Sequence, residues 1–467
     1  MNFIMYDLAF LALFIIFIGI FLYKNKKNLG YESGLILYRT QWGVKLIDYV
    51  GGKYKKTLKA LSYVSIGTGY ILMASMLYLI VQTVYLYLTT PISQVIKAPP
   101  VMPLIPYFPK IFGLESFFPP FYFIYFILAL IIVATVHEFA HGIFARRYGV
   151  KIKSTGFAFL KYFPAVTGAF VEQDEKDMDK RSKFEQMSIL SAGVFSNIIV
   201  TLLFFFILVL VFSTSFAPSG VMFTDYAYSI VGITSISAVN GFEVNSSSLD
   251  NVLERMEENE LNQIEANGEY YVGIKDFNEN YIALYNSAPA IKANLGGAIM
   301  AINNIDTKNK ESLSEELSKY RIGQEVTIKT TNGKEILETK VILEKHPEKD
   351  APWLGIGFVD RTNNKKITAK IFKAFSSFKD PDVYYKPSGE FATFMYDLVW
   401  WILIINLLVA LFNMLPLGFL DGGRFFYLTF LGITGSKKNS ERAFSAMTYF
   451  LLFLLLLLMV KWALSFF

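Results

Sequence analysis

The sequence contains no cysteine among its 467 residues. This excludes disulfide bonds and thiolate zinc sites. It also means that cysteine usage does not indicate whether the protein lies in an oxidising or a reducing compartment. Histidine is also scarce, with only His137, His141 and His346 in the whole chain. Any bound metal ion must therefore be held by histidine, aspartate or glutamate. Two of the three histidines lie four residues apart, with a glutamate between them.

A strong excess of charge is absent as well. The chain has 44 Lys and Arg against 39 Asp and Glu, a formal net charge of +5. Nucleic-acid-binding domains carry clustered basic patches and a high isoelectric point. We therefore expect no nucleic-acid partner, and we interpret the small basic excess as the flanks of membrane spans.

Apolar residues are abundant: 53% of the chain is hydrophobic, with 44 Phe and 28 Tyr. This exceeds the usual content of soluble domains. A bilayer span needs about 20 mostly apolar residues. Six segments qualify, at residues 4–23, 61–87, 121–144, 187–212, 394–412 and 444–467. The sequence therefore predicts a polytopic α-helical membrane protein in contact with the lipid bilayer.

Basic residues predict the direction of the spans. The first span is preceded by no basic residue and followed by KNKKNLG, which is typical of an uncleaved anchor with its N-terminus outside. The loop 24–59 is rich in Lys and Arg, so the positive-inside rule places it in the cytoplasm. Alternation then places the large region between spans four and five outside. We expect a multi-pass protein of the cell membrane.

The third predicted span contains the stretch TVHEFAHGIF, residues 135–144. Residues four apart share one face of a helix, so His137 and His141 can offer two ring nitrogens to one ion. Glu138 can reach a water on that ion, as in zinc peptidases. The alternative is a buried histidine pair with Glu138 bound to Arg146 or Arg147. An ionisable cluster inside a span is costly, which favours a functional site.

A third ligand is predicted in the fifth span, which ends in NLLVALFNMLPLGFLDGGRFF. Asp421 follows a helix break at Pro416 and Gly418, and the predicted topology brings it level with His141. Catalytic zinc usually takes three protein ligands, so we predict Asp421 as the third. The alternative is an Asp-Gly turn leaving the membrane. For Asn413, a hydrogen bond between helices and a contact with the substrate carbonyl or oxyanion remain equally open.

Together these motifs resemble the site-2 protease family of intramembrane zinc metalloproteases. The matching stretches are HEFAH at 137–141 and NMLPLGFLDGG at 413–423. PAVTGAFVE at 164–172 resembles the strand-forming loop of that family. SAGVFSN at 191–197 resembles the start of the next core helix, with Val194 where proline is usual.

The resemblance covers residues 119–215 and 392–430, and it implies a three-helix core surrounded by spans one, two and six. It implies one Zn²⁺ ion held by His137, His141 and Asp421, with Glu138 acting as base and then as acid. It further implies that the substrate is contacted by Asn413, Asn197, Gly168 and Phe170, the last two on a strand that pairs with the unwound substrate.

The region between spans four and five is polar and strand-like. GQEVTIKTTNGKEILETKVILE, residues 323–344, predicts a hairpin turning at Asn332-Gly333. Residues 286–320 resemble a PDZ domain, although Gly297 replaces the usual aspartate. Residues 231–256 repeat the same order of elements. A tandem pair of PDZ-like modules, one extended domain and a spacer without ligand all remain open. PDZ folds bind extended peptides, often a chain end.

The predicted domains are 1–118 (first spans), 119–217 (first half of the core), 218–364 (PDZ-like region), 365–391 (connector), 392–430 (second half of the core) and 431–467 (last span). We predict an intramembrane zinc protease that cleaves single-span membrane proteins in or near the membrane, in regulated intramembrane proteolysis. Its partners would be those substrates and a chain end at the PDZ-like region, and its site would open to the cytoplasm. The alternative is a transporter or channel with a metal or proton site.

Overall fold

The structure is a computed structural model. It describes residues 3–32, 34–90, 98–102, 104–114, 118–165, 167–244, 249–257, 261–273, 281–358 and 377–464. The chain forms two compact units. The membrane unit comprises Met1–Val211 and Thr393–Phe467, and the inserted unit comprises Phe212–Ala392. The first part of the predicted connector, residues 365–376, lies outside the described residues.

Six helices in the described part of the chain are long and apolar enough to cross a membrane. They are α1 (Phe3–Lys24), α3 (Lys55–Thr89), α5 (Phe123–Arg147), α7 (Lys183–Ser215), α11 (Glu390–Asn413) and α13 (Lys437–Leu464). Each contains one predicted span, apart from residues 121–122 before the third helix and 465–467 at the end of the sixth, the latter not described. The polytopic helical class is confirmed, and the chain is a multi-pass integral membrane protein.

The remaining elements of the membrane unit are short. They are helices α2 (Trp42–Lys53), α4 (Phe108–Ile111), α6 (Glu175–Asp179) and α12 (Asp421–Thr434), and a 3₁₀ turn at Lys26–Asn28. Strands β1 (Leu29–Glu32), β2 (Leu35–Thr40), β3 (Ile152–Leu160) and β4 (Thr167–Gln173) form an antiparallel sheet in the order β1-β2-β3-β4. The predicted strand-forming loop thus contains β4, which is an edge strand.

The start of α5 is capped by a residue from another span. Asp7 of α1 is 2% exposed, and its carboxylate accepts hydrogen bonds from the backbone N–H groups of Phe123 (2.7 Å) and Ile124 (2.9 Å). The Tyr107 hydroxyl donates to the same carboxylate. The first N–H groups of a helix have no partner within the helix and are costly when buried. Asp7 therefore fixes the end of α5 farthest from its histidines.

The described part of the inserted unit contains two six-stranded sheets, each with its own apolar core. The first sheet has the order β7-β12-β11-β10-β8-β9. Its elements are β7 (Tyr228–Gly232), a 3₁₀ turn at Ile233–Ser235, β8 (Ile236–Val239), β9 (Phe242–Glu243), α8 (Leu249–Leu253), β10 (Asn262–Ala266), β11 (Glu269–Gly273) and β12 (Tyr281–Asn286).

The second sheet has the order β16-β15-β13-β5-β20, with β14 paired to β13. Its elements are β5 (Phe216–Met222), α9 (Pro289–Lys292), β13 (Ala298–Ile302), β14 (Ile305–Asp306), α10 (Lys310–Leu317), β15 (Glu325–Thr331), β16 (Ile336–Ile342) and β20 (Val383–Pro387). Two further pairs join β17 (Glu344–Lys345) to β18 (Pro352–Trp353) and β6 (Asp225–Tyr226) to β19 (Ile356–Gly357). The hairpin predicted at 323–344 is confirmed as β15 and β16, with Glu325 opposite Ile342.

The two sheets are nested in the chain rather than consecutive. The chain first forms β5 and β6, then completes the whole first sheet, and then returns to β13, where Ile299 pairs with Val221 of β5. The boundaries predicted from the sequence differ accordingly. β20 falls within the predicted connector, yet it completes the second sheet by pairing with β5.

Candidate metal centre

Three side-chain atoms converge inside the membrane unit. The Nε2 atoms of His137 and His141 on α5 are 2.9 Å apart, and Oδ2 of Asp421 lies 3.2 Å from each. Both histidines are 6% exposed. A triangle with these sides has a circumradius of about 1.8 Å, slightly less than the roughly 2.0–2.1 Å of a zinc–imidazole bond. The spacing of the three atoms would therefore allow His137, His141 and Asp421 to hold one zinc ion together.

The outer nitrogens of both imidazoles face α7. Nδ1 of His141 lies 2.7 Å from the carbonyl oxygen of Ile189, and Nδ1 of His137 lies 3.1 Å from Nδ2 of Asn197. A histidine that binds metal through Nε2 carries its proton on Nδ1 and donates it to a neighbouring acceptor. The Ile189 carbonyl is such an acceptor, so the lone pair of His141 Nε2 is directed to the centre.

Gly193 of α7 forms the wall behind both ligands. A Cβ atom on this residue would lie 2.6 Å from Nε2 of His137 and closer still to Nε2 of His141. Only glycine leaves room for the two rings. Ile189, Gly193 and Asn197 are spaced by four, so they form one stripe of α7. This cradle fits a pair of imidazole ligands held for a metal ion.

The position of Asp421 depends on the break between α11 and α12. α11 ends at Asn413, and Asp421 is the first residue of α12. A Cβ atom on Gly422 or Gly423 would collide with the backbone carbonyls of Met414 and Leu417. The two glycines therefore let the first turn of α12 pack directly on the break. Nδ2 of Asn413 lies 3.4 Å from Nε2 of His137, which places this amide beside the centre.

Glu138 faces the sheet rather than an arginine. Its Oε2 accepts a hydrogen bond from the backbone N–H of Val171 on β4 (3.1 Å). The two arginines considered as its partners are engaged elsewhere. Arg146 pairs with Asp48 (2.8 Å), and Nε of Arg147 donates to the Lys55 carbonyl (2.6 Å). Glu138 thus lies beside the His137–His141–Asp421 group without a cation to neutralise it among the described residues.

A cavity of about 470 Å³ opens on the centre. Its described lining includes His137, Glu138, His141, Asn413 and Asp421, together with Val171, Glu172, Phe419 and Arg424. Gly168, Phe170 and Asn197 are not among its lining residues. Phe170 lies over Gly156 of β3, which it faces across the sheet. Asn197 lies behind His137.

Glu172 of β4 is a further carboxylate in the cavity wall, and it is already hydrogen-bonded. Its Oε2 accepts from Oγ of Ser154 (2.7 Å) and Nε of Arg39 (3.1 Å). The Ser154 hydroxyl, helped by Arg39, holds the pKa of the Glu172 carboxyl below its usual range. Arg39 also pairs with Glu32 of β1 (2.5 Å). Glu172 therefore links β4 directly to β3 and, through Arg39, to β2 and β1.

Three parts of the site are not apparent from the sequence: Gly193, Ile189 and the Glu172 network. Ile189 acts through its backbone, which no residue type signals. The sequence does contain a weak signal for Gly193. A glycine four residues before an asparagine in an apolar helix places a small and a polar residue on the same face of that helix. Only its place in the stretch SAGVFSN, which carries part of the family resemblance, singles it out beforehand.

A multi-span membrane unit with a His-Glu-x-x-His helix and a distant aspartate defines a membrane metallopeptidase. Comparison with known proteins agrees: the family described as "Peptidase family M50" matches residues 125–458, well over half of the chain. The chain belongs to this family, the site-2 proteases, whose members are metal-dependent membrane proteases. The resemblance found in the sequence is confirmed.

One curated relative adds to this comparison. An uncharacterized protein of Methanocaldococcus jannaschii is 33% identical to the chain over 194 residues. The match covers 40% of this chain and 47% of that protein. The chain thus spans about half the length of this relative.

Proposed function

We propose that the chain is an intramembrane zinc metalloprotease that hydrolyses peptide bonds in or near the transmembrane segments of single-span membrane proteins. The observation that carries this proposal is the convergence of His137 Nε2, His141 Nε2 and Asp421 Oδ2, with Glu138 beside them. Two imidazoles and one carboxylate form a donor set that suits zinc and leaves a fourth position open for water.

The protein residues have distinct roles in hydrolysis. Bound zinc would lower the pKa of water to about 7 and polarise the scissile carbonyl. Glu138 takes up the proton of the attacking water and returns it to the leaving amine. Its hydrogen bond from Val171 N–H keeps the carboxylate next to the sheet. The Asn413 amide donates to the substrate carbonyl as negative charge develops on it.

Asn197 is better suited to hold His137 than to bind substrate. The metal-binding form of His137 has its proton on Nδ1, so the facing atom of Asn197 must be an acceptor. Oδ1 of Asn197 is buried without a hydrogen-bond partner, whereas Nδ2 faces the ring. Turning the amide by half a turn brings Oδ1 to Nδ1–H and satisfies it, since amide orientation is set by the hydrogen-bond network. We assign Asn197 a positioning role.

The free edge of β4 is the proposed docking line for the substrate. A helical substrate hides its carbonyls in internal hydrogen bonds, so it must first be extended. An extended chain can add to an exposed sheet edge. Val171 N–H points away from β3, and backbone direction alternates along a strand. The groups of Ala169 and Gln173 therefore also face outward. A Cβ atom on Gly168 would meet no atom within 4 Å, so one face of β4 is open at this residue.

The placement of the whole protein completes the proposal. We place it in the cell membrane, with the basic loop 24–59 and the water entrance to the site in the cytoplasm. The inserted unit would then lie outside. Its two small sheets, the first with one short helix and the second with two, support PDZ-like modules that capture the chain end of a trimmed substrate, as in regulated intramembrane proteolysis.

The test compares wild type with Glu138→Gln in proteoliposomes that contain a single-span substrate. We expect Glu138→Gln to abolish cleavage while one zinc ion per chain remains, as measured by elemental analysis. His346→Ala, in the inserted unit, is the matched control and should change neither quantity. Cleavage by Glu138→Gln would contradict the assigned base. Zinc flux without cleavage by wild type would favour the transporter alternative.

A further inference from the structure

The basic charge of the chain is concentrated in one segment, residues 24–59. It contains eight lysines and Arg39 against only Glu32 and Asp48, a net charge of +7. The whole chain carries +5, so the other residues together carry −2. The lysines are Lys24, Lys26, Lys27, Lys45, Lys53, Lys55, Lys56 and Lys59.

The charge of the lysines is not neutralised within the described part of the chain. Glu32 is paired with Arg39 (2.5 Å), and Asp48 is paired with Arg146 (2.8 Å). No ion pair joins any of the eight lysines to another described residue. Two of them lie over tyrosine rings, Lys53 over Tyr49 (4.8 Å) and Lys26 over Tyr23 (5.3 Å).

The segment lies where three membrane helices end. α1 ends at Lys24, α3 begins at Lys55 and α5 ends at Arg147. The Nε of Arg147 donates to the Lys55 carbonyl (2.6 Å), which holds the ends of α5 and α3 at one level. α2 lies in the chain between α1 and α3, and only Tyr54 separates it from α3. α2 is thereby held at the level where these three helices end.

One face of α2 packs directly on α5. Gly43, Ile47 and Gly51 are buried. A Cβ atom on Gly51 would lie 2.9 Å from the Ile143 carbonyl oxygen, and one on Gly142 would lie 2.8 Å from Ile47. Nothing fits between the two helices. α2 therefore touches the helix that carries the metal-binding histidines, within two residues of His141.

The other face of α2 is apolar, basic and exposed. Trp42, Leu46 and Tyr49 are 86%, 52% and 56% exposed, and their spacing places them on one side of the helix. Lys45 and Lys53 flank them and are also exposed. Trp and Tyr favour the membrane–water interface, and lysine extends its ammonium group to the headgroups.

We propose that the outer face of α2, formed by Trp42, Lys45, Leu46, Tyr49 and Lys53, is a docking surface for anionic phospholipid headgroups. Amphipathic helices with aromatic and basic residues lie in the bilayer interface. Clusters of lysines next to a membrane span bind anionic lipids. The occupant is the bilayer because α2 is anchored to it on both sides and presents a charge opposite to that of the lipid. This inference does not depend on proteolytic activity.

The test uses the absence of cysteine from the chain. Leu46→Cys in the full-length protein accepts a single bimane label, and the protein is placed in nanodiscs of phosphatidylcholine. Two nanodisc samples contain the same fraction of phosphatidylglycerol. In one, the brominated acyl chains that quench bimane are carried by phosphatidylglycerol, and in the other an equal fraction of phosphatidylcholine carries them. We expect stronger quenching by brominated phosphatidylglycerol. Adding Lys45→Gln and Lys53→Gln should lower this preference by about five-fold per lysine.

The matched control is Lys437→Gln with Lys438→Gln at the start of α13, which removes equal charge from exposed positions away from α2 and should keep the preference. Equal quenching by both lipids would overturn the headgroup preference, and no quenching by either would overturn the docking surface. If the control lost the preference for phosphatidylglycerol equally, the assignment to α2 would be overturned. The preference would then come from the total basic charge on that side of the membrane. Loss of the preference on adding inorganic phosphate would identify a soluble-anion site instead.

Discussion

The most stringent test of the metal centre is Gly193→Ala. The added methyl group would lie within 2.6 Å of Nε2 of His137 and closer to Nε2 of His141. Ordinary carbon contacts begin near 3.5 Å, so one side must move by about 1 Å. The atoms in the way are the ends of two imidazole rings, which can rotate at little cost in packing. Rotation carries both nitrogens away from Asp421, so the variant should fold and lose metal.

The expected magnitude follows from that displacement. A 1 Å misplacement of catalytic groups costs about 100-fold, and loss of support around a metal ligand costs about 10–100-fold in metal affinity. We therefore expect Gly193→Ala to lower zinc affinity by about 100-fold, measured by competition with a chelating dye. Cleavage activity should fall in parallel. If α7 moves instead, overpacking costs about 1–3 kcal/mol and appears as a lower unfolding temperature.

A second helical glycine supplies the control. Gly432 is on α12, the helix that begins with Asp421, and a Cβ there meets no atom within 4 Å. Gly432→Ala should keep zinc affinity and gain roughly a few tenths to 1 kcal/mol of helix stability. Wild-type zinc affinity together with an unchanged unfolding temperature in Gly193→Ala would refute the reasoning, because the methyl group must displace either the two imidazoles or α7.

Three further predictions concern single side chains. Asn197→Ala should lower zinc affinity by about 10–100-fold, while Asn197→Asp, which keeps an acceptor for Nδ1–H of His137, should restore most of it; equal loss in both would remove the positioning role. Asp421→Ala should lose stoichiometric zinc on elemental analysis, and full retention would remove Asp421 as a ligand. The pKa of Glu172 is lowered by Ser154, so its contribution to stability is complete above the ordinary glutamate pKa of about 4.3 and is lost as pH falls through the lowered value. Glu172→Gln should therefore reduce the fall of the unfolding temperature at acidic pH. An unchanged dependence of unfolding temperature on pH would contradict the contribution of Glu172 to stability.

The sequence was informative where one local property decides the structure. A run of apolar residues long enough to cross a bilayer can be recognised without knowing its neighbours. The spacing of His137 and His141 follows from helix geometry alone. Asp421 could be found because the membrane restricts depth, which leaves few carboxylates at the level of the histidines.

The rest depends on contacts between distant residues. Asp7 caps α5 from a span 116 residues earlier, and Arg39 reaches Glu172 across 133 residues. Neither pairing has a local signal. The loop 24–59 has no long apolar run, so β1, β2 and α2 are not apparent before β3 and α5 are available to pack against. The nesting of the two sheets was likewise hidden, because similarity between segments does not show which strand returns to pair with β5.

The pairing of β5 with β20 has a consequence for how the enzyme could have acquired its insert. Phe216 lies opposite Pro387, and the N–H of Ser388 donates to the Ser215 carbonyl (2.8 Å). The chain therefore leaves α7 and re-enters α11 through a two-stranded stem, so the long excursion between them adds little loop-closure entropy to joining the ligand-bearing halves. Such a stem lets whole modules be exchanged, lost or multiplied during evolution while the hydrolytic machinery stays assembled.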